Sequence, residues 1–264
     1  MDRCDIGDRR MKRALIGYTG FVGGNLKEQT QFDSLYNSKN FHEMKGQSFD
    51  EVVCAGVSAV KWQANKDPET DRAKINALED VLASISVKQF ILISTVDVYP
   101  LTEGVDETFD CHGIDNHAYG AHRLAFEDFC RTQFTNCYVV RLPGLFGNGL
   151  KKNVIFDLLN DNCLEMINPR SSFQYYYLNH LWADIQVAIK ADVRLVNFFT
   201  EPVSSAEIIQ RYFSDKVVGQ EPSPEAHYDL RTCYANLWGK RGNYIYTKDE
   251  VVDQLDEYIN NYRK

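Results

Sequence analysis

Short apolar runs alternate along the chain with longer segments in which apolar residues recur every three or four positions. Runs without polar alternation are typical of parallel strands that are covered on both faces. They predict strands at 13–17, 34–37, 51–56, 89–95, 137–142 and 194–200. The longer segments predict helices from Phe21, over 67–85, from about Tyr119, after Ser204 and after Thr247. This alternation of strands and helices predicts an α/β fold with a doubly wound parallel sheet.

Three of these helices have recognisable start signals. Asp67 can cap the helix over 67–85, and Pro68 suits its first turn. Capping-box patterns precede the last two helices, at Ser204 with Glu207 and at Thr247 with Glu250. The apolar stripe of the helix over 67–85 is formed by Ile75, Leu78, Leu82 and Ile85.

The regular alternation ends near residue 150 and divides the chain into a core and a smaller lobe. We expect residues 11–150, completed by about 173–200, to form the dinucleotide-binding core. We expect residues 151–172 and 201–264 to form a small substrate-binding lobe over the carboxyl edge of the sheet, where such sheets bind ligands. Residues 1–10 are expected to be a loose extension. Tyr175 to Tyr177 are expected to form a strand whose alternate rings pack the core.

Composition and charge exclude several classes of function. The chain has 264 residues, is 44% hydrophobic and carries a net charge of -8, which argues against nucleic acid or an anionic membrane as its main partner. It has no apolar run near eighteen residues, so we expect no membrane span. Its seven cysteines are scattered without metal-site spacing, so we expect reduced thiols, a cytoplasmic location and no metal. A Cys/His zinc site around "DCHGIDNH" is the less favoured alternative.

A glycine-rich turn between the first strand and the first helix is the clearest candidate binding site. In "IGYTGFVGGNL", Gly17 permits a tight turn, Gly20 lets a pyrophosphate approach the backbone, and Gly23 lets helix and strand pack closely. The helix N-terminus adds N–H donors and a positive dipole. We therefore predict a nucleotide cofactor held by Gly17, Thr19, Gly20, Phe21, Val22 and Gly23.

The end of the second strand indicates which cofactor is bound. An NAD site usually has a carboxylate about twenty residues after the first glycine, where it accepts from the ribose 2′-hydroxyl. Here the chain has Asn37, Ser38 and Lys39 and no acid. Because Lys39 would attract a 2′-phosphate, we predict NADP, with NAD as the alternative.

Four motifs together resemble one known family. The glycine turn, "ISTVDVYP" (93–100), "AYGAHRLAFE" and "VVRLPGLFGNG" have the order and spacing of the extended short-chain dehydrogenase/reductase family, which includes nucleotide-sugar epimerases, dehydratases and reductases. The resemblance covers about residues 12–150 and continues weakly through 173–185 and 195–209. It implies a Rossmann fold, an NAD(P) cofactor and a sugar or nucleotide-sugar substrate. A homodimer is a further expectation.

The resemblance also implies the site residues. Thr95 matches the Ser/Thr of the family's Ser/Thr-Tyr-Lys triad, and Tyr119 matches the catalytic tyrosine. Glu127 matches an acid of the tyrosine helix that we interpret as structural. Further contacts to the cofactor are expected from Ala55, Gly56 and Pro143.

Arg123 stands where the family has lysine. Tyr119 and Arg123 are four residues apart and therefore share one face of a helix. A cation about 4 Å from a phenolate gains roughly 4 kcal/mol at an effective dielectric near 20, which predicts a lowered tyrosine pKa. Arginine can supply this charge, but it cannot readily release a proton. We therefore predict a modified triad of Thr95, Tyr119 and Arg123.

Two further departures from the family narrow the substrate. The family's dehydratases carry an acid pair after the Ser/Thr, but here Val96 precedes Asp97, so dehydration is disfavoured. Phe173 stands near the place of a family arginine, and Arg170, Lys151 or Lys152 could take over the role of that arginine. We expect Asp97 and Arg170 near the substrate. The predicted function is an NAD(P)-dependent oxidoreductase or epimerase. The alternative is a non-catalytic NAD(P)-binding sensor or partner subunit with a degenerate site.

Overall fold

The computed structural model describes residues 11–263, so the prediction about residues 1–10 lies outside the described residues. Its ten strands are β1 Arg13–Ile16, β2 Ser34–Tyr36, β3 Ser48–Cys54, β4 Ser86–Thr95, β5 Cys137–Leu142, β6 Gly144–Phe146, β7 Ser172–Phe173, β8 Tyr175–Tyr177, β9 Leu195–Asn197 and β10 Val203–Ser204. Six of them form a parallel sheet in the order β2-β1-β3-β4-β5-β9. The predicted α/β class and parallel sheet are therefore confirmed.

Eight α-helices connect and cover the strands. They are α1 Phe21–Gln29, α2 Lys61–Lys66, α3 Pro68–Leu82, α4 Ala118–Gln133, α5 Val154–Asn160, α6 Leu181–Lys190, α7 Ser205–Tyr212 and α8 Lys248–Tyr262. The predictions of α1, α3, α4, α7 and α8 are confirmed, whereas α2, α5 and α6 were not predicted. No helix within residues 11–263 is long and apolar enough to cross a membrane.

The predicted start signals act as caps. Asp67 accepts a hydrogen bond from the Thr70 N–H at 3.1 Å, and Pro68 is the first residue of α3. The hydroxyl of Ser204 accepts from the Glu207 N–H in the same way at 3.1 Å. At α8, the side chains of Thr247 and Glu250 form the complete reciprocal capping box.

Apolar side chains cover the central sheet on both faces. On one face, α3 and α4 pack over strand residues that include Val52 and Cys54, and on the other α1 and α6 pack over residues that include Val53. Val52, Val53 and Cys54 all have no exposed surface. Burial on both faces explains why these strands show no polar alternation.

The C-terminal part of the chain has a third core cluster. Helices α5, α7 and α8 pack there around Tyr175 and Tyr177, while Tyr176 packs against the central sheet. The rings of β8 therefore alternate as expected, but they alternate between two cores, and all three are buried.

Candidate functional site

The glycine turn links β1 to α1, and two of its glycines are required by the packing of the chain. Gly17 has a φ of +89°, and a Cβ there would lie 2.3 Å from the Ala55 carbonyl oxygen. A Cβ on Gly23 would lie 2.1 Å from the Gly17 carbonyl oxygen. At Gly20 the nearest atom to such a Cβ would be the Gly17 oxygen at 3.3 Å. A Cβ on Gly20 would thus make a tight contact but not the severe clash found at the other two glycines.

The start of α1 is suited to bind an anion. Gly20 is its N-cap, and no side chain in the described part of the chain caps the helix. The first N–H groups of a helix have no partner within it, and they attract phosphate. Thr19 and Gly20 are exposed, whereas Phe21 and Val22 turn their side chains into the core. The turn therefore fits a pyrophosphate that is held by backbone groups.

The end of β2 lies beside this turn, because the Gly17 N–H donates to the Tyr36 carbonyl at 2.7 Å. The Asn37 side chain accepts from the Lys39 N–H at 2.8 Å and donates to the Tyr18 hydroxyl at 3.3 Å. Ser38 and Lys39 are exposed. The three residues predicted to contact the cofactor ribose thus form an outward-facing turn next to the glycine turn.

The end of β4 holds Thr95 and Asp97 in one hydrogen-bonded turn. The Thr95 hydroxyl accepts from the Asp97 N–H and donates to the Asp97 carboxylate, both at 3.2 Å. The other carboxylate oxygen forms an ion pair with Lys61 of α2, with an N–O distance of 2.5 Å. His117 approaches the same oxygen with its Nε2 at 3.7 Å. Asp97 is therefore already paired with a cation.

Tyr119 lies in the first turn of α4 and is only 6% exposed. Its N–H donates to the Asn65 side chain of α2 at 2.9 Å, and His117 caps the helix by accepting from the Gly120 N–H at 3.0 Å. The Thr95 hydroxyl lies near the phenol and acts to lower its pKa. The structure thus brings two of the predicted triad residues together at the carboxyl edge of the sheet.

Arg123 is buried beneath Tyr119, and both terminal nitrogens of its guanidinium are engaged. Its guanidinium donates to both oxygens of Asp71 on α3, at 2.5 and 2.9 Å, and to the Ser58 carbonyl at 2.7 Å. The guanidinium carbon lies 3.9 Å from the centre of the Tyr119 ring. His122 also contacts Asp71, with its Nδ1 at 2.8 Å. Arg123 therefore ties α4 to α3 and to the loop after β3.

Arg123 acts to lower the pKa of Tyr119, as its charge predicts, but other effects outweigh it. Burial raises the pKa of Tyr119 above its ordinary value. Arg123 and the Thr95 hydroxyl act to lower it, while the Asp97 and Asp71 carboxylates act to raise it further. Because Arg123 shares its charge with Asp71 and the phenol is desolvated, the cation does not outweigh burial.

The remaining predicted residues lie in different places. Ala55 and Gly56 face the glycine turn, and Pro143 is buried directly after β5. Arg170 is exposed and forms an ion pair with Glu225 at 3.0 Å, an ordinary surface contact. Phe173 packs against Tyr228. Glu127 is buried without exposed surface and binds Arg141 at 2.6 Å.

Two residues that contact the site were not predicted. Asp71 lies four residues before Ile75, so it extends the apolar stripe of α3, and a carboxylate on a buried face needs a cationic partner. That position was the available signal for Asp71. Lys61 gave no signal of this kind, because its partner Asp97 is far away in the sequence.

A cluster of acidic and cysteine side chains lies away from this site. Asp106, Glu107 and Cys233 lie close enough to share a metal ion. However, Glu107 already accepts from the Thr232 hydroxyl at 2.6 Å and from two backbone N–H groups.

The six cysteines between residues 11 and 263 are free thiols, four of them buried.

The fold matches solved structures over almost its whole length. A dTDP-4-dehydrorhamnose reductase from Clostridium acetobutylicum matches with a TM-score of 0.71 and 15% identity, over 96% of this chain and all of that one. A UDP-glucose 4-epimerase from Thermotoga maritima, solved with UDP-glucose, matches with a TM-score of 0.66 and 14% identity, over 86% of this chain and 91% of that one. At these identities the likeness shows the fold alone.

A third solved structure carries a nicotinamide cofactor. The dTDP-4-dehydrorhamnose reductase from Bacillus anthracis, solved in complex with NADP, matches with a TM-score of 0.67 and 14% identity, over 89% of this chain and 94% of that one. No protein of curated function matches the sequence.

A sequence profile identifies the family. The profile of the NAD dependent epimerase/dehydratase family matches residues 30–165, which begin after the glycine turn and include Thr95, Tyr119 and Arg123. Because this match covers more than half of the 264 residues, the chain belongs to the NAD dependent epimerase/dehydratase family.

Proposed function

We propose that the protein is an NAD(P)-dependent oxidoreductase or epimerase that acts on a sugar or nucleotide-sugar. The observation that carries this proposal is the position of Tyr119 beside Thr95 at the carboxyl edge of the sheet, with the Arg123 guanidinium under its ring. That pair is connected to the glycine turn through Arg123, Ser58 and the loop after β3. The family of the chain supports the same reaction class.

The cofactor would lie along the glycine turn. Gly20 and the start of α1 would hold the pyrophosphate, and Asn37, Ser38 and Lys39 would face the adenosine ribose. Solved relatives of the fold bind NADP or NAD, and Lys39 favours NADP. The bound cofactor supplies a hydride acceptor or donor.

Tyr119 supplies or removes the substrate proton. The phenol is protonated at neutral pH and can therefore act as the proton donor to a carbonyl oxygen, although its raised pKa makes proton release more costly. Thr95 would hold the same oxygen by a hydrogen bond once its hydroxyl proton turns from the Asp97 carboxylate to the substrate. Arg123 would position the Tyr119 ring from below and would not carry a proton.

Dehydration is a poor fit for this site. Val96 leaves Asp97 as the single acid directly after Thr95, and Asp97 is engaged with Lys61. An elimination needs a group that is free to remove a proton from carbon. The Asp97 carboxylate, which is paired with Lys61, is not free in this way. We therefore favour reduction or epimerisation.

A second candidate function is a non-catalytic NAD(P)-binding subunit. The observation that favours it is the burial of Arg123, which is 4% exposed and bound to Asp71. Such a protein would bind the cofactor at the glycine turn and would not turn over substrate.

The test is the substitution Tyr119→Phe, which removes the proton carrier and keeps the ring on Arg123. We expect turnover of 4-keto nucleotide-sugars with NADPH to fall by at least about 100-fold, since general acid catalysis contributes about 10²–10⁴-fold. NADPH affinity, measured by cofactor fluorescence, should stay within about twofold. Tyr262→Phe removes a hydroxyl at the end of α8 and serves as the control. Binding of NADPH without turnover in the parent protein would favour the second candidate.

We also propose a reducing, cytoplasmic location, which suits the free thiols. A small molecule is the partner that the site fits, and the net charge of -8 disfavours nucleic acid. A homodimer stays a proposal for a mass measurement in solution.

A further inference from the structure

We propose that Lys61 and Asp97 are positioning residues for Tyr119 and Thr95, with Lys61 neutralising the carboxylate that holds the Thr95 hydroxyl. Lys61 would thereby be the cation that balances negative charge at the site. From sequence position alone, this role would be assigned to Arg123. The proposal rests on the proposed function and deepens it. It concerns residues of α2 and of the turn after β4.

Arg123 has little capacity left for this task. Both terminal nitrogens of its guanidinium are taken by Asp71, by the Ser58 carbonyl and, at 3.3 Å, by the Tyr119 carbonyl. The third nitrogen, Nε, is buried and finds no acceptor among residues 11–263. A guanidinium held on this many sides cannot follow a charge that changes during a reaction.

Lys61 is held less tightly than Arg123. Its side chain is 40% exposed, so its ammonium can exchange protons with water while it pairs with Asp97. Lys61 is also the first residue of α2, where the helix dipole disfavours a cation. Its position is therefore not explained by the stability of α2, and the contact with Asp97 offsets the unfavourable dipole.

Each carboxylate near Tyr119 has a cation of its own. Asp71 of α3 pairs with Arg123 of α4, and Asp97 of the turn after β4 pairs with Lys61 of α2. Both carboxylates act to raise the pKa of Tyr119. Loss of Lys61 would leave Asp97 uncompensated and would disfavour the phenolate.

His117 of α4 does not balance Asp97 while Lys61 is present. It lies 3.7 Å from Asp97, but burial and the nearby Lys61 hold its pKa below the ordinary value. His117 is therefore neutral at neutral pH, and Lys61 carries the charge that balances Asp97.

The experiment measures the titration of position 119 directly. Site-specific 3,5-difluorotyrosine at 119 lowers the phenol titration into a range where the protein stays folded, and ¹⁹F NMR of the full chain reports it without turnover. Lys61→Met should raise the pKa at position 119 by about one unit, the lower end of the shift from a charge within ~4–6 Å. Lys61→Arg should leave it unchanged. Lys66→Met, at the other end of α2, is the matched control.

A double substitution decides whether Lys61 acts through Asp97. In an Asp97→Asn background no carboxylate remains to be neutralised, so Lys61→Met should no longer move the pKa. An equal rise in both backgrounds, or no rise in either, would overturn the proposal. Because the readout needs neither cofactor nor substrate, absence of turnover would count against the proposed function and not against this inference.

Discussion

The role of Arg123 depends on the residues that pack around its side chain. The sequence indicates a cation beside Tyr119, and the structure places one 3.9 Å from the ring centre. However, the charge is shared with Asp71, whose two oxygens both accept from the guanidinium. The pairing could not be derived from spacing, because the two residues are brought together only by the packing of α3 on α4.

Asp71→Asn tests whether this pairing supports the fold. We expect a loss of about 3–5 kcal/mol in the free energy of unfolding at pH 7, because the substitution leaves Arg123 buried without its counter-ion. The exposed Asp80→Asn on the same helix should change stability by less than about 0.5 kcal/mol. Urea unfolding of both variants and the parent measures the difference.

The same variant has a predicted pH dependence. Burial acts to raise the pKa of Asp71, but hydrogen bonds from Arg123 and His122 outweigh burial and hold it below the ordinary value. The stabilisation is therefore complete above the unfolded pKa, near ~3.9, and is lost as the pH falls through the lower folded pKa. The gap between parent and Asp71→Asn should narrow below about pH 4; a constant gap would contradict this account.

At the scale of helices and strands, the sequence predicts the elements whose buried residues follow a regular pattern along the chain. The run 89–95 has four consecutive apolar residues, from Phe90 to Ile93, and β4 contains all of it. Helix α2 escapes prediction because it has six residues, mostly polar, and only Ala64 is buried. Its position depends on tertiary contacts such as the one from Asn65 to the Tyr119 N–H. The site was therefore predictable in the residues of strand ends and not in those of α2.

The turn between β1 and α1 gives a test at this scale. Gly17→Ala should lose about 2–5 kcal/mol, the sum of a positive φ and a clash with the Ala55 oxygen. Gly46→Ala is the matched control, because Gly46 has a φ of +71° and no atom within 4 Å of a Cβ. It should lose only the conformational part, about 1–2 kcal/mol. Equal losses in chemical unfolding would show that the close approach to Ala55 costs nothing.

For the whole molecule, the parallel sheet decides where the site lies. The carboxyl ends of β1, β3 and β4 meet at one edge, which is why the glycine turn, the 55–58 loop and Thr95 become neighbours. This arrangement follows from the order of strands and could be predicted. The contacts of the C-terminal part could not be predicted, because Arg170 and Phe173 were assigned only from a family resemblance that is weak beyond residue 150.

Cofactor binding should stabilise the molecule as a whole. NADPH at 100 times its dissociation constant adds about 2.7 kcal/mol, which corresponds to a rise in Tm of about 5–10 °C for a chain of this size. NADH at the same concentration should raise Tm less, and Lys39→Glu should reverse the order because it repels the 2′-phosphate. Equal shifts for both nucleotides, unchanged by the substitution, would refute the assignment of Lys39.

The contact between Asp71 and Arg123 also constrains how the chain can evolve. A lysine at 123 would offer one ammonium where two oxygens of Asp71 and the Ser58 carbonyl now find separate donors. A neutral residue at 71 would strand the arginine. Since each single change would give a destabilised protein, we expect the residues at 71 and 123 to change together, and a return to lysine at 123 would require a change at 71 as well.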